Sequence, residues 1–434
     1  MRLILVELNE INFDLVEHYI ENGSKLPGFK SLIDSGIIKT HSESKYENLE
    51  PWIQWPSVHT GKTYDEHGVF RLGDFVNSNE EQIFEKVEKA GYKVGAISPM
   101  NASNRLKNPA YFIPDPWTVT DTDGSFFSKI ISKAISQTVN DNSQSKIKMS
   151  SAAYLMLSII FLVRPKKYFS MISLAISSVI KPWKKALFLD KFLFEVHLKF
   201  FKKSNVDFST IFLNAGAHIQ HHYFFNSSFV DSPNLKNPSW YVKKKNDPIL
   251  DMLIVYDELI EEITSIPDTD TIISTGLSQK PYEEVKFYYR LKQHTDFLNA
   301  CGIKHEKVLP RMTRDFLIEF LSEKDAQIAQ KKLELILVNN KNQLFGEIDN
   351  RGKELFVVLT YPNEITDECT LSIDGKNIYL KDNLTFVAIK NGEHQSKGFA
   401  FFSKGIKKFE PDENAHVSNI YFSIINFFQI DSNI

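Results

Sequence analysis

Residues 3–36 read LILVELNEINFDLVEHYIENGSKLPGFKSLIDSG, and this stretch decides the fold. The apolar run Leu3–Val6, closed by the charge of Glu7, has the composition of a strand buried on both faces. A helix is expected from about Phe13 to Asn22, with Leu15, Tyr19 and Ile20 near one face. Gly23 and Pro27 break it, and a second short helix, Gly28–Ser35, ends at Gly36. Working outward, the rhythm repeats. Helix Ile83–Ala90, capped by Gly91, is followed by strand Tyr92–Ile97. Strand Thr210–Leu213, helix Pro248–Ile266 and strand Thr271–Ser274 come next, and strand Gly398–Phe402 and helix Val417–Phe428 close the chain. Strands alternating with helices imply an α/β fold with a mostly parallel sheet flanked by helices. Ligands in such folds bind outside the carboxyl ends of the strands. Glu7, Asn9 and Glu10 stand at the first of those ends.

The intervening segments read differently. Glu47–Asp74, rich in Trp, Pro, His and Gly without a clear period, is expected to be mostly loop. Residues 121–205 read as an insertion: a polar linker around Asn140–Ser145, then basic, apolar helices. From Lys146 to Lys203 about twelve Lys and Arg face only Asp190 and Glu195, roughly +10 in a chain whose net charge is −3. Met149–Val163, the longest apolar run at roughly 15 residues, falls short of the roughly 20 a spanning helix needs. Two accounts of the insertion stand: a surface lying in an anionic membrane interface, or a cap with its lysines turned to an acidic substrate. Residues 283–345 read as helical and charged. Segments such as Glu354–Thr360 and Thr370–Tyr379 suggest a small antiparallel unit. The expected divisions are 1–120, 206–282 and 391–434 for the core, 121–205 for the basic insertion and 283–390 for a helical and small β insertion. The net charge gives no case for nucleic-acid binding. Cys301 and Cys369 alone leave no disulfide framework and fit a reducing, cytoplasmic setting. The opening apolar run is too short for a secretory leader, whose core is roughly 7–15 residues.

Read in order, the motifs resemble the type I phosphodiesterase/nucleotide pyrophosphatase branch of the alkaline phosphatase superfamily. The opening stretch is similar to a strand ending in a metal-binding Asp, then a helix, then an "LP…L…G" segment. EPWIQWPSVHTGKTYDEHGVF (50–70) resembles the nucleophile loop, with Thr60-Gly61 and His67-Gly68 in its tail. IFEKVEKAGYKVGAI (83–97) resembles the following helix and strand. STIFLNAGAHIQHHYFF (209–225) is similar to the segment that supplies an Asp and a His four residues apart. TIISTGLSQKPY (271–282) sits where the family has a Ser-Asp-His-Gly turn. NGEHQSKGFAFF (391–402), with SNIYFSIINFFQI (418–430), resembles the closing His and last helix. The resemblance covers roughly residues 1–115, 206–282 and 385–430. It implies an alkaline-phosphatase-like fold, a site of two divalent metals held mostly by Asp and His, and a Ser or Thr nucleophile.

Carried over position by position, the family's first Asp is Asn9, the middle Asp is Ala217 with its His partner at His221, and the Asp-His of the turn is Thr275-Gly276. The closing His is His394. The nucleophile position falls near Pro51–Gln54, without a Ser or Thr. The resemblance thus leaves His221 and His394 as metal ligands, for zinc or manganese. A catalytic zinc takes three protein ligands, so an ion here needs a ligand the family pattern does not supply.

The residues themselves add candidates. Glu10 and Asn9 suit a base or ligand at the strand end, against a reading as helix-capping residues. Ser57 and His59 offer a nucleophile with a base, although two positions apart on a loop does not ensure contact. Trp55 is assigned to substrate contact, with simple packing of Trp52 and Trp55 as the competing reading. His218, His221 and His222 share a helical face, with His218 toward substrate; in the plainer reading only His221 points inward. Gln279 and Lys280 follow a strand end, where Lys280 suits a phosphate or a solvated loop. The expected function is a hydrolase or transferase acting on a phosphoester or related ester. Its partner is a phosphate-containing small molecule or a lipid- or sugar-linked substrate, met in the cytoplasm or peripherally at the inner face of an anionic membrane. The alternatives are a non-catalytic binding protein on the same fold, and a transferase or lyase that reuses the pocket without a metal.

Overall fold

The structure, a computed structural model, describes residues 1–140, 148–311, 314–373 and 376–431. The polar linker read at Asn140–Ser145 lies, past Asn140, outside the described residues. The chain divides into a large unit (1–231, 242–281 and 392–434) and a smaller one (232–241 and 282–391).

In the large unit, β1 (Leu3–Leu8), β2 (Ile37–His41), β3 (Val94–Ile97), β4 (Tyr111–Ile113), β5 (Phe208–Leu213) and β6 (Asp270–Ser274) join strand Lys397–Phe402 and the short strand Ala415–His416 in one eight-stranded sheet. The order is Ala415–His416, β2, Lys397–Phe402, β6, β1, β5, β3, β4. Every pairing is parallel except the two made by Lys397–Phe402. This is the expected mostly parallel α/β fold. β1 lies at the centre between β5 and β6, in register Leu3↔Phe208 and Leu3↔Asp270. All six of its residues are buried, which is why the opening run reads as continuously apolar.

The helices follow in chain order. Asn12 caps α1 (Phe13–Glu21), accepting from the Asp14 amide at 2.9 Å. Pro27 begins α2 (Pro27–Asp34) at the position proline favours. The stretch expected as loop holds α3 (Pro51–Thr60) and the short α4 (Tyr64–His67). Its sequence shows no helical period because every residue of α3 except Trp52 is buried, so no polar face exists to mark one. Pro56 sits inside α3 and removes a ladder donor; the freed Trp52 carbonyl accepts from Asn101 Nδ2 at 2.8 Å. After α5 (Ile83–Lys89), the insertion supplies α6 (Phe126–Asn140), α7 (Met149–Leu162), α8 (Tyr168–Ser177) and α9 (Lys184–Ser204). Next come α10 (Ala215–Tyr223) and α11 (Pro248–Thr264), and the helix Asn419–Phe427 ends the chain. Among the described residues no helix is long and apolar enough to cross a membrane.

In the smaller unit, the expectation of a helical 283–345 is corrected. Ser278–Leu291 is a strand whose Val285, Phe287, Tyr289 and Leu291 alternate with polar residues, a period of two hidden among the charges. Among the described residues of 283–345, the helices are His294–Ala300 and Glu323–Glu334. Two four-stranded sheets complete it, with the pairings Asp315–Glu319 to Glu354–Val358 and Thr370–Ile373 to Lys376–Tyr379 antiparallel. Cys301 and Cys369 are both buried and free.

Candidate metal centre

β1 delivers Asn9 and Glu10 to the carboxyl edge of the sheet. The Asn9 amide donates to the Leu213 carbonyl at 3.1 Å and the Glu10 amide to the Thr275 carbonyl at 3.0 Å, so both are tied to neighbouring strand ends. Glu10 adopts a left-handed φ of +63°, a conformation that costs a non-glycine residue on the order of 1 kcal/mol or more. Its backbone carbonyl accepts from Gln220 Nε2 at 2.9 Å, which helps hold that turn.

His221 is carried by α10, and the start of α10 is anchored from two sides. Asp190 of α9 accepts from the Ala215 amide at 2.7 Å and from the Tyr256 hydroxyl at 2.6 Å. The Tyr256 oxygen in turn accepts from the Gly216 amide at 2.8 Å. Gly216 lets α10 lie close to Ile11 and Tyr256, since a Cβ there would be 2.3 Å from Ile11 Cδ1 and 2.9 Å from Tyr256 Cε2. Burial raises the Asp190 carboxyl to about 6 despite these donors. His394 arrives on the strand Leu384–Gln395. Gly392 lets that strand pass close to Gln279, whose Oε1 would be 2.2 Å from an added Cβ.

These elements bring three donors together. Glu10 Oε2 lies 3.2 Å from His221 Nε2 and 3.1 Å from His394 Nε2, and the two Nε2 atoms are 3.1 Å apart. Glu10 is buried, His394 is 12% exposed and His221 31%, so the triad opens to solvent on the His221 side. Burial alone would raise the Glu10 carboxyl, but His394 and His221 hold it well below the usual carboxylate range. Burial alone would lower His394; Glu10, with Glu50 behind it, raises it to about 8. The Glu50 carboxylate is 3.6 Å from His394 Nδ1, an ion-pair distance longer than a hydrogen bond.

The donor set fits a divalent ion. Zinc bonds to His and carboxylate of about 2.0–2.2 Å place donor atoms roughly 3.0–3.5 Å apart in tetrahedral or octahedral sites, the spacing found here. Among the described residues, Glu10, His221 and His394 are the group of His, Cys, Asp and Glu whose ligand atoms gather this closely. Two imidazoles and a carboxylate suit zinc or manganese.

The remaining candidates take other positions. Asn9 saturates itself: Nδ2 donates to Glu10 Oε1 at 3.0 Å and Asn214 Oδ1 at 2.9 Å, and Oδ1 accepts from Trp55 Nε1 at 2.8 Å. It braces Glu10. Trp55, assigned to substrate contact, is fully buried against Phe212 and His59 and packs behind Asn9. Gln279 is also buried; its Nε2 donates to Glu10 Oε2 and, at 3.0 Å, to the Ala217 carbonyl. Lys280 pairs with Glu393 at 3.0 Å. His218 lies edge-on to His222, ring centroids 4.7 Å apart, while His221 turns to His394 at 4.9 Å.

The structure does not bring Ser57 and His59 together. His59 Nε2 faces Glu7 Oε1 at 3.0 Å, with both side chains buried. Ser57 Oγ is 3.1 Å from His67 Nε2 and donates to the Ile53 carbonyl at 3.3 Å. His67 Nδ1 accepts from the Val69 amide, and burial pushes the ring down to about 4, so the neutral ring carries its proton on Nε2. That nitrogen donates to Ser57 and has no lone pair with which to take the hydroxyl proton. Thr275, at the family's Asp position, is used within the sheet, its Oγ1 accepting from the Phe399 amide at 2.9 Å. The third donor, Glu10, lies one residue beyond the family's ligand position, and a carboxylate at a strand end is the signal that points to it.

No protein-family model matches the sequence, and no curated protein matches it. Among solved structures, the chain is similar to phosphonoacetate hydrolase from Sinorhizobium meliloti 1021, 11% identical with a TM-score of 0.43 over 98% of this chain and 96% of that one. It is also similar to alkaline phosphatase from the Antarctic bacterium TAB5, 10% identical with a TM-score of 0.39 over 99% of each chain. Human ectonucleotide pyrophosphatase/phosphodiesterase 5 is 12% identical with a TM-score of 0.38 over 99% of this chain and 96% of that one. All three are alkaline phosphatase superfamily proteins. Likenesses of this size carry no weight for chemistry.

Proposed function

We propose that this chain is a metal-dependent hydrolase of phosphoesters, with one divalent ion, zinc or manganese, held by Glu10, His221 and His394. The observation that carries the reading is the convergence of three donor atoms within 3.2 Å of one another at the open carboxyl edge of a parallel sheet. A divalent ion there would supply Lewis-acid charge opposite a phosphoryl oxygen. The chain's own residues hold the site in shape. Gln279 and Asn9 fix the two Glu10 oxygens, Gln220 fixes its carbonyl, and Glu50 stands behind His394. The substrate class is a phosphate-containing small molecule, or a phosphoester carried on a lipid or sugar. The two free, buried cysteines suit the cytoplasm.

A second reading, a metal-holding binding protein without turnover, is favoured by the saturation of Asn9 and the locked Ser57. Assay of aryl phosphate mono- and diesters with added zinc or manganese separates the two. The first reading expects slow turnover that requires metal and disappears in His221→Ala. A chain that binds metal but turns over none of these esters is the binding protein.

A further inference from the structure

The helices α7 and α8 leave apolar faces in solvent. On α8, Phe169, Ile172 and Ile176 recur at helical spacing, and Val179 and Ile180 extend the strip through the turn that follows; all five are between 56% and 85% exposed. On α7, Met149, Met156 and Ile160 are likewise exposed. Neither Met149–Val163 nor Tyr168–Ile180 contains a charged residue. Scattered exposed apolar residues are ordinary, but contiguous ones mark an interaction surface.

The surrounding charge says what covers them. Between residues 148 and 204 the acidic residues are Asp190 and Glu195, and both are buried. Part of the positive charge is spent inside the unit, on Glu195 of α9 and on the acidic side of α11. Arg164 pairs with Glu195 and Glu262, Lys167 with Glu258 and Glu262, Lys191 with Glu258 at 2.6 Å, and Lys181 and Lys184 lie 3.7 and 3.8 Å from Asp251. Lys166 and Lys185, which flank α8, remain exposed, as do Lys199, Lys202 and Lys203. Those last three line a cavity of about 390 Å³ together with Arg164 and Leu198. The exposed surface of α7–α9 is therefore apolar and cationic, with no exposed carboxylate among its described residues. A second copy meeting this face through a two-fold axis would set like charge against like.

We propose that α7 and α8 form a docking surface for an anionic bilayer leaflet, with Phe169, Ile172, Ile176, Val179 and Ile180 entering the acyl boundary. Lys166, Lys185 and the lysine-lined cavity at the end of α9 meet anionic headgroups. Attachment of this kind is peripheral and reversible, because apolar insertion and charge attraction act together without a spanning segment. The surface stands independently of the metal centre.

The test is co-sedimentation of the full chain, metal-free and metal-loaded, with phosphatidylcholine vesicles containing about 30% phosphatidylserine, a charge density that attracts basic segments. Both forms are expected to bind at low salt, to weaken as salt rises, and to ignore pure phosphatidylcholine. Phe169→Ser with Ile176→Ser is expected to lower partitioning at least about tenfold at every salt concentration. Lys166→Glu with Lys185→Glu is expected to lower it roughly a hundredfold at low salt and less at high salt. All four positions are exposed, so unchanged melting temperatures are expected to accompany the losses. A wild-type chain that ignores anionic vesicles at low salt overturns the proposal, as does unchanged binding by the Phe169→Ser, Ile176→Ser variant. A self-association that this variant dissolves, without vesicle binding by the wild type, assigns the face to a second copy instead. Turnover without vesicle binding removes this surface and leaves the metal centre; vesicle binding without metal binding does the reverse.

Discussion

Two carboxylate–histidine groups lie near the carboxyl end of β1, and they have become different things. Glu10 meets His221 and His394 at the sheet edge, partly open to solvent, with three donor atoms converging. Glu7 meets His59 in the interior: Glu7 Oε1 accepts from Thr210 Oγ1 at 2.7 Å and lies 3.0 Å from His59 Nε2, while Phe84 and Trp55 pack against the imidazole. Neither Glu7 Oε2 nor His59 Nδ1 has a hydrogen-bond partner. Residue type is the same in both groups. What separates them is access, a second imidazole and the outer ring of polar residues. Asn9, Gln279 and Gln220 hold Glu10 toward the two imidazoles, whereas the inner pair is sealed from solvent. On the proposed function, the inner pair acts on stability and the outer group on ligand binding.

The sharpest way to break this contrast is to truncate the inner pair. His59→Ala empties a fully buried site and leaves Glu7 with the Thr210 hydroxyl but without its imidazole; the cavity and the lost contact together cost roughly 3–5 kcal/mol. Denaturant unfolding is expected to show that loss, with metal affinity of the folded chain changed less than about threefold, a change well under about 1.4 kcal/mol. A His59→Ala chain of native stability that had lost its metal would reverse the assignment of the two groups.

A smaller effect tests the anchor beneath His221. The Asp190 carboxyl is raised from its ordinary value of 3.8 to about 6 by burial. A raised acid stabilises the fold fully below its unfolded pKa, and that contribution is lost as pH rises through the folded value. A tenfold change in proton affinity is worth about 1.4 kcal/mol, so wild type should lose about 2–3 kcal/mol relative to Asp190→Asn between about pH 4 and pH 7. Unfolding of both proteins across that range reads the difference. A pH-independent difference would mean that Asp190 stays ionised while holding the Ala215 amide and the Tyr256 hydroxyl.

Much of the fold is legible in the sequence, because β1, β5 and β6 are apolar runs bounded by turns and the helices between them carry periodic apolar faces. His221 and His394 stand out through the order of the motifs around them. Glu10 is harder to read as their partner. Position by position the ligand falls on Asn9, and only the left-handed turn at Glu10 brings the next residue's carboxylate to the imidazoles. α3 is hidden for the opposite reason: burial nearly all round erases the period that marks a helix. Trp55 and Gln279 carry polar atoms at a strand-end site and so read as substrate contacts, but the structure spends those atoms on Asn9 and Glu10. The basic insertion reads as one field of positive charge. Which cations are already matched by α11 depends on packing that no local pattern carries.

The most direct test of the central claim is an equilibrium titration of the metal-free chain with zinc, read by competition with a chromophoric chelator. One ion per chain is expected, with affinity reduced at least about a hundredfold in Glu10→Ala, His221→Ala and His394→Ala, beyond the roughly 10–100-fold typical of outer partners, and preserved in His59→Ala. Absence of stoichiometric binding, or binding that survives the loss of Glu10, would contradict the account.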